Sequence, residues 1–292
     1  MGNVSGGTTN GRRTAGDPLR VAMLTSARAP GLERLRERSG GRGAPYRIVA
    51  VVASDPESSA LPAAESAGVA TEVRCPEAFC RRRGADVGDR GAREAFDRRL
   101  VDRLHASGAE AVLMCGYLWI ATGELLTAFP DRVFNIHDAD LTLRDGNGVP
   151  LYRGLRSTRD AVFAGEPETR STVHLATERV DVGPPLLLSR SFPVHPMVTA
   201  AREWEAEDLL KAYAYAQREW MMRASWGALL DRTLELEAAG RIRVTGDGRA
   251  AVDGAPAPVQ LDEPRAGARP AGSAVAPSGA AVLRAVVGGG RP

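Results

Sequence analysis

The stretch 19–54, "LRVAMLTSARAPGLERLRERSGGRGAPYRIVAVVAS", decides the fold. Its two ends are near-continuous apolar runs rich in Val, Ile, Leu and Met, the pattern of strands covered on both faces; a strand with one wet face would alternate. Between them "LERLRERSG" (32–40) reads as an amphipathic helical segment. The same alternation continues through "LPAAESAG", "REAFDRRLVDRLHASG", "AEAVLMCG", "GELLTAF", "RVFNIH", "LRSTRDAVFAG", "STVHLAT" and "PLLLSRSFPV". Strands alternating with helices imply a mostly parallel sheet with helices on both sides, a doubly wound, Rossmann-like α/β domain.

A long helical stretch follows over 203–239, with Leu209, Leu210, Tyr213, Trp220 and Met221 on its apolar side. "RIRVTGDGRAAVDG" then reads as a hairpin turning at Gly246, Asp247 and Gly248. The leader 1–17 is Gly, Thr, Asn and Arg with little to bury and is expected to be disordered, as is the Ala/Pro/Gly-rich tail 251–292. The folded domain is expected over 18–250.

Composition excludes several classes of function. The 38 basic residues against 36 acidic ones leave a net charge of +2 without a basic stripe, which argues against nucleic-acid binding. No 18-residue apolar run and no signal-like leader occur, so no membrane partner is expected. The three cysteines, Cys75, Cys80 and Cys115, make no disulfide framework or zinc spacing; a cytoplasmic protein with structural or surface thiols and no metal is expected.

Ligands of open α/β sheets bind at the carboxyl ends of strands. "RVFNIHDAD" (132–140) runs out of such a strand into Asn135 and His137. His174 lies in an apolar strand and is expected to be structural, Met221 and Met222 to be helix core, and His195 to lie on the surface.

With its neighbours, this strand end resembles the folate-dependent formyltransferases, most closely the phosphoribosylglycinamide formyltransferase type. Four pieces carry the resemblance: "AREAFDRRLVDRL", "CGYLWIATGELL", "FNIHDADL" and "STVHLATERVDVGPPLLLSRSFPV". It implies a Rossmann-like formyltransferase fold and 10-formyltetrahydrofolate as the formyl donor. It also implies a catalytic set of Asn135, His137 and Asp181. Folate contacts fall on Arg93, Leu118, Trp119, Ile120, Ala121, Leu126 and Val180, with the loop before Asp181 wrapping the pterin. Transfer to an amine passes through a tetrahedral intermediate with a negative oxygen. Asn135 and His137 offer donors to it and Asp181 a carboxylate to orient and charge the imidazole.

The acceptor half departs from the family. The family's glycine-rich phosphate loop is replaced by "TSARAPGL" (25–32), in which Pro30 has no N–H and alanines stand for glycines. After His137, "DADLTLRDGNGVPLYRG" replaces the usual Pro-Ser-Leu-Leu-Pro with a longer loop. Ser26, Arg28, Gly31 and Glu219 are the expected acceptor-side residues, with Arg28 available to a carboxylate. The expectation is formyl transfer to a non-phosphorylated small-molecule amine in specialised, natural-product metabolism. Alternatives are the purine-pathway enzyme, a formyltetrahydrofolate hydrolase, and a non-catalytic folate-binding protein. The hydrolase branch carries an N-terminal regulatory module, which the short leader is not expected to supply.

Overall fold

The computed structural model describes residues 16–246 and 248–261. The expected disorder of 1–15 and 262–292, and the placing of Asp247 in a turn, lie outside the described residues. Thirteen strands and nine α-helices are described: β1 (Leu19–Thr25), α1 (Leu32–Ser39), β2 (Tyr46–Ala53), α2 (Ala60–Glu65), β3 (Ala70–Val73), α3 (Pro76–Arg82), α4 (Arg90–Ala106), β4 (Ala111–Met114), α5 (Gly123–Ala128), β5 (Val133–His137), α6 (Ser157–Ala164), β6 (Glu168–Thr169), β7 (Thr172–Leu175), β8 (Pro185–Leu188), β9 (Phe192–Pro193), α7 (Met197–Glu203), α8 (Glu207–Met221), α9 (Gly227–Ala238), β10 (Ile242–Val244), β11 (Ala250–Val252), β12 (Ala255–Pro256) and β13 (Val259–Gln260).

The main sheet has the order β13-β8-β7-β5-β4-β1-β2-β3. From β5 to β3 every pairing is parallel. The doubly wound, mostly parallel sheet therefore stands as the sequence predicts, with one difference. β7 runs antiparallel to both β5 and β8; only a short turn over 176–184 joins β7 to β8, with no helix to carry the chain back, whereas α6 lies between β5 and β7. The turn closes tightly at Gly183, where a Cβ would stand 1.8 Å from the Leu175 carbonyl oxygen.

Two apolar layers cover the sheet. Val21, Met23, Leu113, Phe134 and Val173 join Leu32, Leu35, Trp226, Leu229 and Leu234 on one face. Ala22, Leu24, Val112 and Met114 meet Phe96, Leu100 and Leu104 of α4 on the other. That every other residue of β1 belongs to each layer is why its sequence is apolar throughout.

The helical stretch expected over 203–239 is continuous over 207–238, with a π-helical turn inside it. α7 ends at Glu203, and α8 and α9 are joined by a π-helical turn over Met222–Trp226. The π turn lies where α9 meets α1: Gly31, at φ +92°, would put a Cβ 2.7 Å from the Gly227 Cα. The expected domain end at 250 also moves. β11 begins there, and β13 adds to the main sheet beside β8 through Val259↔Leu187 and Gln260↔Leu188. The Ala/Pro composition concealed this because a two-residue strand has no periodicity to read. Within the described residues no helix is long and apolar enough to cross a membrane.

Candidate active site

β5 lies in the middle of the sheet, and its pleat sends Asn135 and His137 to the same side at the carboxyl end. The antiparallel register sets His174 of β7 directly opposite Asn135. The Asn135 amide Nδ2 donates to His174 Nε2 at 3.0 Å, while His174 Nδ1 donates to the Leu175 carbonyl at 2.8 Å. His174 thus bridges the Asn135 amide on one ring nitrogen and a backbone carbonyl on the other. His174 is buried in β7, as expected of a structural histidine, and it also touches Asn135.

Asp181 closes that cluster. Its backbone is left-handed, φ +50°, which turns the carboxylate back under the strand ends. Oδ2 accepts from the Gly154 N–H at 2.7 Å and lies 3.4 Å from His137 Nδ1. Oδ1 lies 3.4 Å from both Asn135 Nδ2 and His174 Nε2. Burial pushes the carboxyl up. The hydrogen bond at His174, the charges of His137 and His174 and the Gly154 amide outweigh burial and hold it well below the ordinary range. His137 Nε2 donates to the Tyr152 carbonyl at 3.0 Å. Its two nitrogens therefore face two acceptor oxygens, and a ring with hydrogens on both satisfies both. The cluster supplies an amide donor, an imidazole and a carboxylate anion within hydrogen-bonding reach of one another, the chemistry that oxyanion stabilisation and proton relay require.

The long loop after β5 supplies backbone parts that sequence reasoning missed. It forms a small hairpin, with Arg144 bridged to Pro150 and Asp145 accepting from the N–H groups of Asn147 and Val149. The hairpin delivers the Tyr152 carbonyl to His137 and the Gly154 amide to Asp181. Backbone donors and acceptors carry no residue-type signal, so only the fold reveals them.

On the segment that leads to Asp181, Glu178 borders a cleft of 410 Å³ lined also by Val87, Arg90, Arg93, Leu118, Trp119, Ile120, Ala121 and Thr122. Leu118 and Ile120 are half exposed along it, 55% and 50%, as is Val180 at 37% on the neighbouring loop. Arg93 Nη2 donates to the Ile120 carbonyl at 2.9 Å, and its guanidinium lies 4.8 Å from the Trp119 ring centre. Arg93 Nε is buried without a hydrogen-bond partner. Leu126, expected in this slot, packs instead against the core beneath it.

The expected acceptor-side residues are arranged differently from one another. Arg28 is gripped by Glu219 in a two-pronged pair, Nη1 to Oε2 at 3.0 Å and Nη2 to Oε1. Both border a cleft of 330 Å³ with Ala29, Pro30, Gly31, Met222 and Arg223. Arg28 is therefore already paired with a carboxylate of its own chain. Ser26 is buried; its hydroxyl meets Ser54 at 2.7 Å and accepts from the Leu118 N–H at 3.0 Å, tying together the ends of β1, β2 and the 116–120 loop. Gly31 serves packing against Gly227, as above. Next to His137, Asp138 is buried and pairs with Arg218 of α8. His195 is exposed, as expected. Among the described residues no group of three or more His, Cys, Asp or Glu is arranged to hold a metal ion.

Comparison with known proteins agrees with this geometry. The family described as Formyl transferase matches residues 19–225. The chain is 24% identical over 172 residues to the phosphoribosylglycinamide formyltransferase of Escherichia coli, covering 59% of this chain and 72% of that protein. It is 25% identical over 216 residues to the trifunctional purine biosynthetic protein adenosine-3 of Drosophila melanogaster, covering 73% of this chain but only 14% of that much longer protein. Among solved structures, glycinamide ribonucleotide transformylase 1 of Symbiobacterium toebii superposes with a TM-score of 0.64 at 26% identity, covering 84% of this chain and 99% of that one. A formyltetrahydrofolate deformylase of Burkholderia mallei superposes at 0.59 and 20% identity, covering 81% and 70%, a likeness of fold alone. The strand-end cluster, the sheet that presents it and a match spanning most of the folded chain place this protein in the formyl transferase family.

Proposed function

We propose that the protein moves a formyl group from 10-formyltetrahydrofolate to the amine of a small, phosphate-free molecule, in specialised rather than purine metabolism. The donor half rests on the Asn135, His137 and Asp181 cluster and on a cleft with apolar walls. There Leu118, Ile120 and Val180 offer exposed apolar surface for a flat ring. Asn135 is the oxyanion donor: its 3.4 Å contact to Asp181 is the weaker of its two and yields first to a developing negative oxygen. His137 is the second donor, and Asp181 keeps the imidazole oriented and relays the amine's proton.

One observation carries the acceptor half. The guanidinium that stands where the resemblance places a phosphate loop is occupied on two prongs by Glu219, and Pro30 contributes no N–H. A phosphate arriving there meets a carboxylate and must displace it. The test is formyl transfer by the purified protein from 10-formyltetrahydrofolate to glycinamide ribonucleotide and to a panel of phosphate-free amines, read by mass spectrometry. Products with the panel and none with the ribonucleotide are expected. Efficient formylation of glycinamide ribonucleotide would return the protein to purine synthesis, and formate release with no amine present would make it a hydrolase.

A further inference from the structure

Asp138 follows His137 directly, is 8% exposed, and has no part in the site described so far. Arg218 Nε donates to its Oδ2, while Oδ1 is buried with no hydrogen-bond partner. A buried carboxylate with one bare oxygen is a destabilising arrangement, and an apolar side chain would fill the same place without that cost. The charged and titratable groups that act on it come from every neighbouring element: His137 on β5, Cys115 at the end of β4, Arg218 and Glu219 on α8, and Arg28 in the turn after β1. Asp138 is thus the chain neighbour of the cluster's histidine and within electrostatic reach of the Arg28–Glu219 pair that borders the acceptor cleft.

An acceptor amine reaches the protein largely as an ammonium ion at neutral pH, and only the free base attacks a formyl carbon. We propose that Asp138 receives the acceptor's ammonium group and takes one of its protons, an inference that rests on the formyl-transfer reading. In balanced form, the ammonium gives one proton to the Asp138 carboxylate and the freed lone pair forms the C–N bond to the formyl carbon. A second N–H proton passes by way of His137 and Asp181 to N10 of the folate as the N10–C bond breaks. The third hydrogen stays in the formamide, and Asp138 releases its proton to solvent. The bare oxygen is the acceptor for that N–H, and Arg218 keeps the carboxylate in place between turnovers. Burial pushes the Asp138 carboxyl above its ordinary value, against the pull of Arg218 and His137, the direction a proton acceptor needs.

The experiment compares the full-length protein with Asp138→Asn at pH 7, using 10-formyltetrahydrofolate and two kinds of probe. Ethanolamine and glycinamide arrive mostly protonated; methoxyamine and hydroxylamine arrive neutral. Asp138→Asn should lower kcat/KM for ethanolamine by about 10²- to 10⁴-fold and leave methoxyamine within about 3-fold, with the tetrahydrofolate dissociation constant unchanged. A structural role would depress both kinds equally. Independently of any variant, kcat/KM of the wild-type protein for ethanolamine should be level over about pH 6 to 8; a tenfold rise per pH unit would overturn the proposal. Equal losses for both probes, or no loss for either, would overturn it too. A wild-type protein that formylates none of the four amines overturns the formyl-transfer reading together with this one, whereas transfer with a uniform loss overturns this inference alone.

Discussion

At the scale of single residues, the site is held by complementary hydrogen-bonding capacity. Asn135→Ala removes the amide that His174 grips and should lower turnover by about 10²- to 10³-fold with tetrahydrofolate binding little changed, checked by steady-state kinetics beside calorimetry. Asp181→Asn should cost about 10²- to 10⁴-fold, because an amide does not relay a proton. Asp181 also carries a pH signature. Its folded-state value lies below the ordinary 3.8, so its contribution to stability is complete above that value and is lost as pH falls through the lowered one. Melting curves of wild type and Asp181→Asn should therefore converge as the pH is lowered below about 4; a constant difference down to the lowest pH would contradict the charged cluster.

Between elements, the decisive contact is that of α1 with the π turn and α9. Gly31→Ala must tolerate a left-handed backbone and a Cβ 2.7 Å from Gly227 Cα, so a loss of roughly 2–4 kcal/mol is expected from overpacking and conformational strain together. Denaturant unfolding measures it. The cost should appear in stability before it appears in acceptor KM; an unchanged midpoint would restore Gly31 as a ligand-facing residue. Farther along the same helix pair, Asp231 is 4% exposed and accepts from the Tyr46 hydroxyl at 2.8 Å and from Arg34 Nε at 3.2 Å. Asp231→Ala leaves the fully buried Tyr46 hydroxyl bare and should cost about 1–3 kcal/mol, more than Tyr46→Phe, after which Asp231 keeps its arginines.

For the whole molecule, the question is where the domain ends. Val252 is 2% exposed in the core, and the Leu261 N–H donates to the Leu188 carbonyl at 2.8 Å. A chain stopped at 250, the boundary that composition suggests, would strip β13 from β8 and bare a sheet edge. Burial of one such side chain is worth about 1.5–3 kcal/mol, and each kcal/mol moves the midpoint of a domain this size by about 2–4 °C. The truncated protein should melt roughly 5–10 °C lower and associate on heating, seen by calorimetry and light scattering. An equal midpoint for the 250 truncation would show β13 to be dispensable.

The sequence by itself determined the class of sheet and the placing of Asn135 and His137 together at a strand end. Buried strands such as 19–25 and 46–53 advertise themselves by continuous apolarity, and Asn135 and His137 share a face because strand side chains repeat every second residue. Only the tertiary structure decided the rest, because register and partners are set between segments distant in the chain. The antiparallel pairing of β7 turned His174 from a core residue into the partner of Asn135. The hairpin after β5 brought the Tyr152 carbonyl and the Gly154 amide to His137 and Asp181 through backbone groups that every residue carries. Glu219, far along the chain from Arg28, occupied the guanidinium that the sequence leaves open to a substrate. Hydrophobic periodicity is a local property and is legible residue by residue; the pairing of charges is settled only when burial brings them within a few ångströms, where unpaired they would be costly.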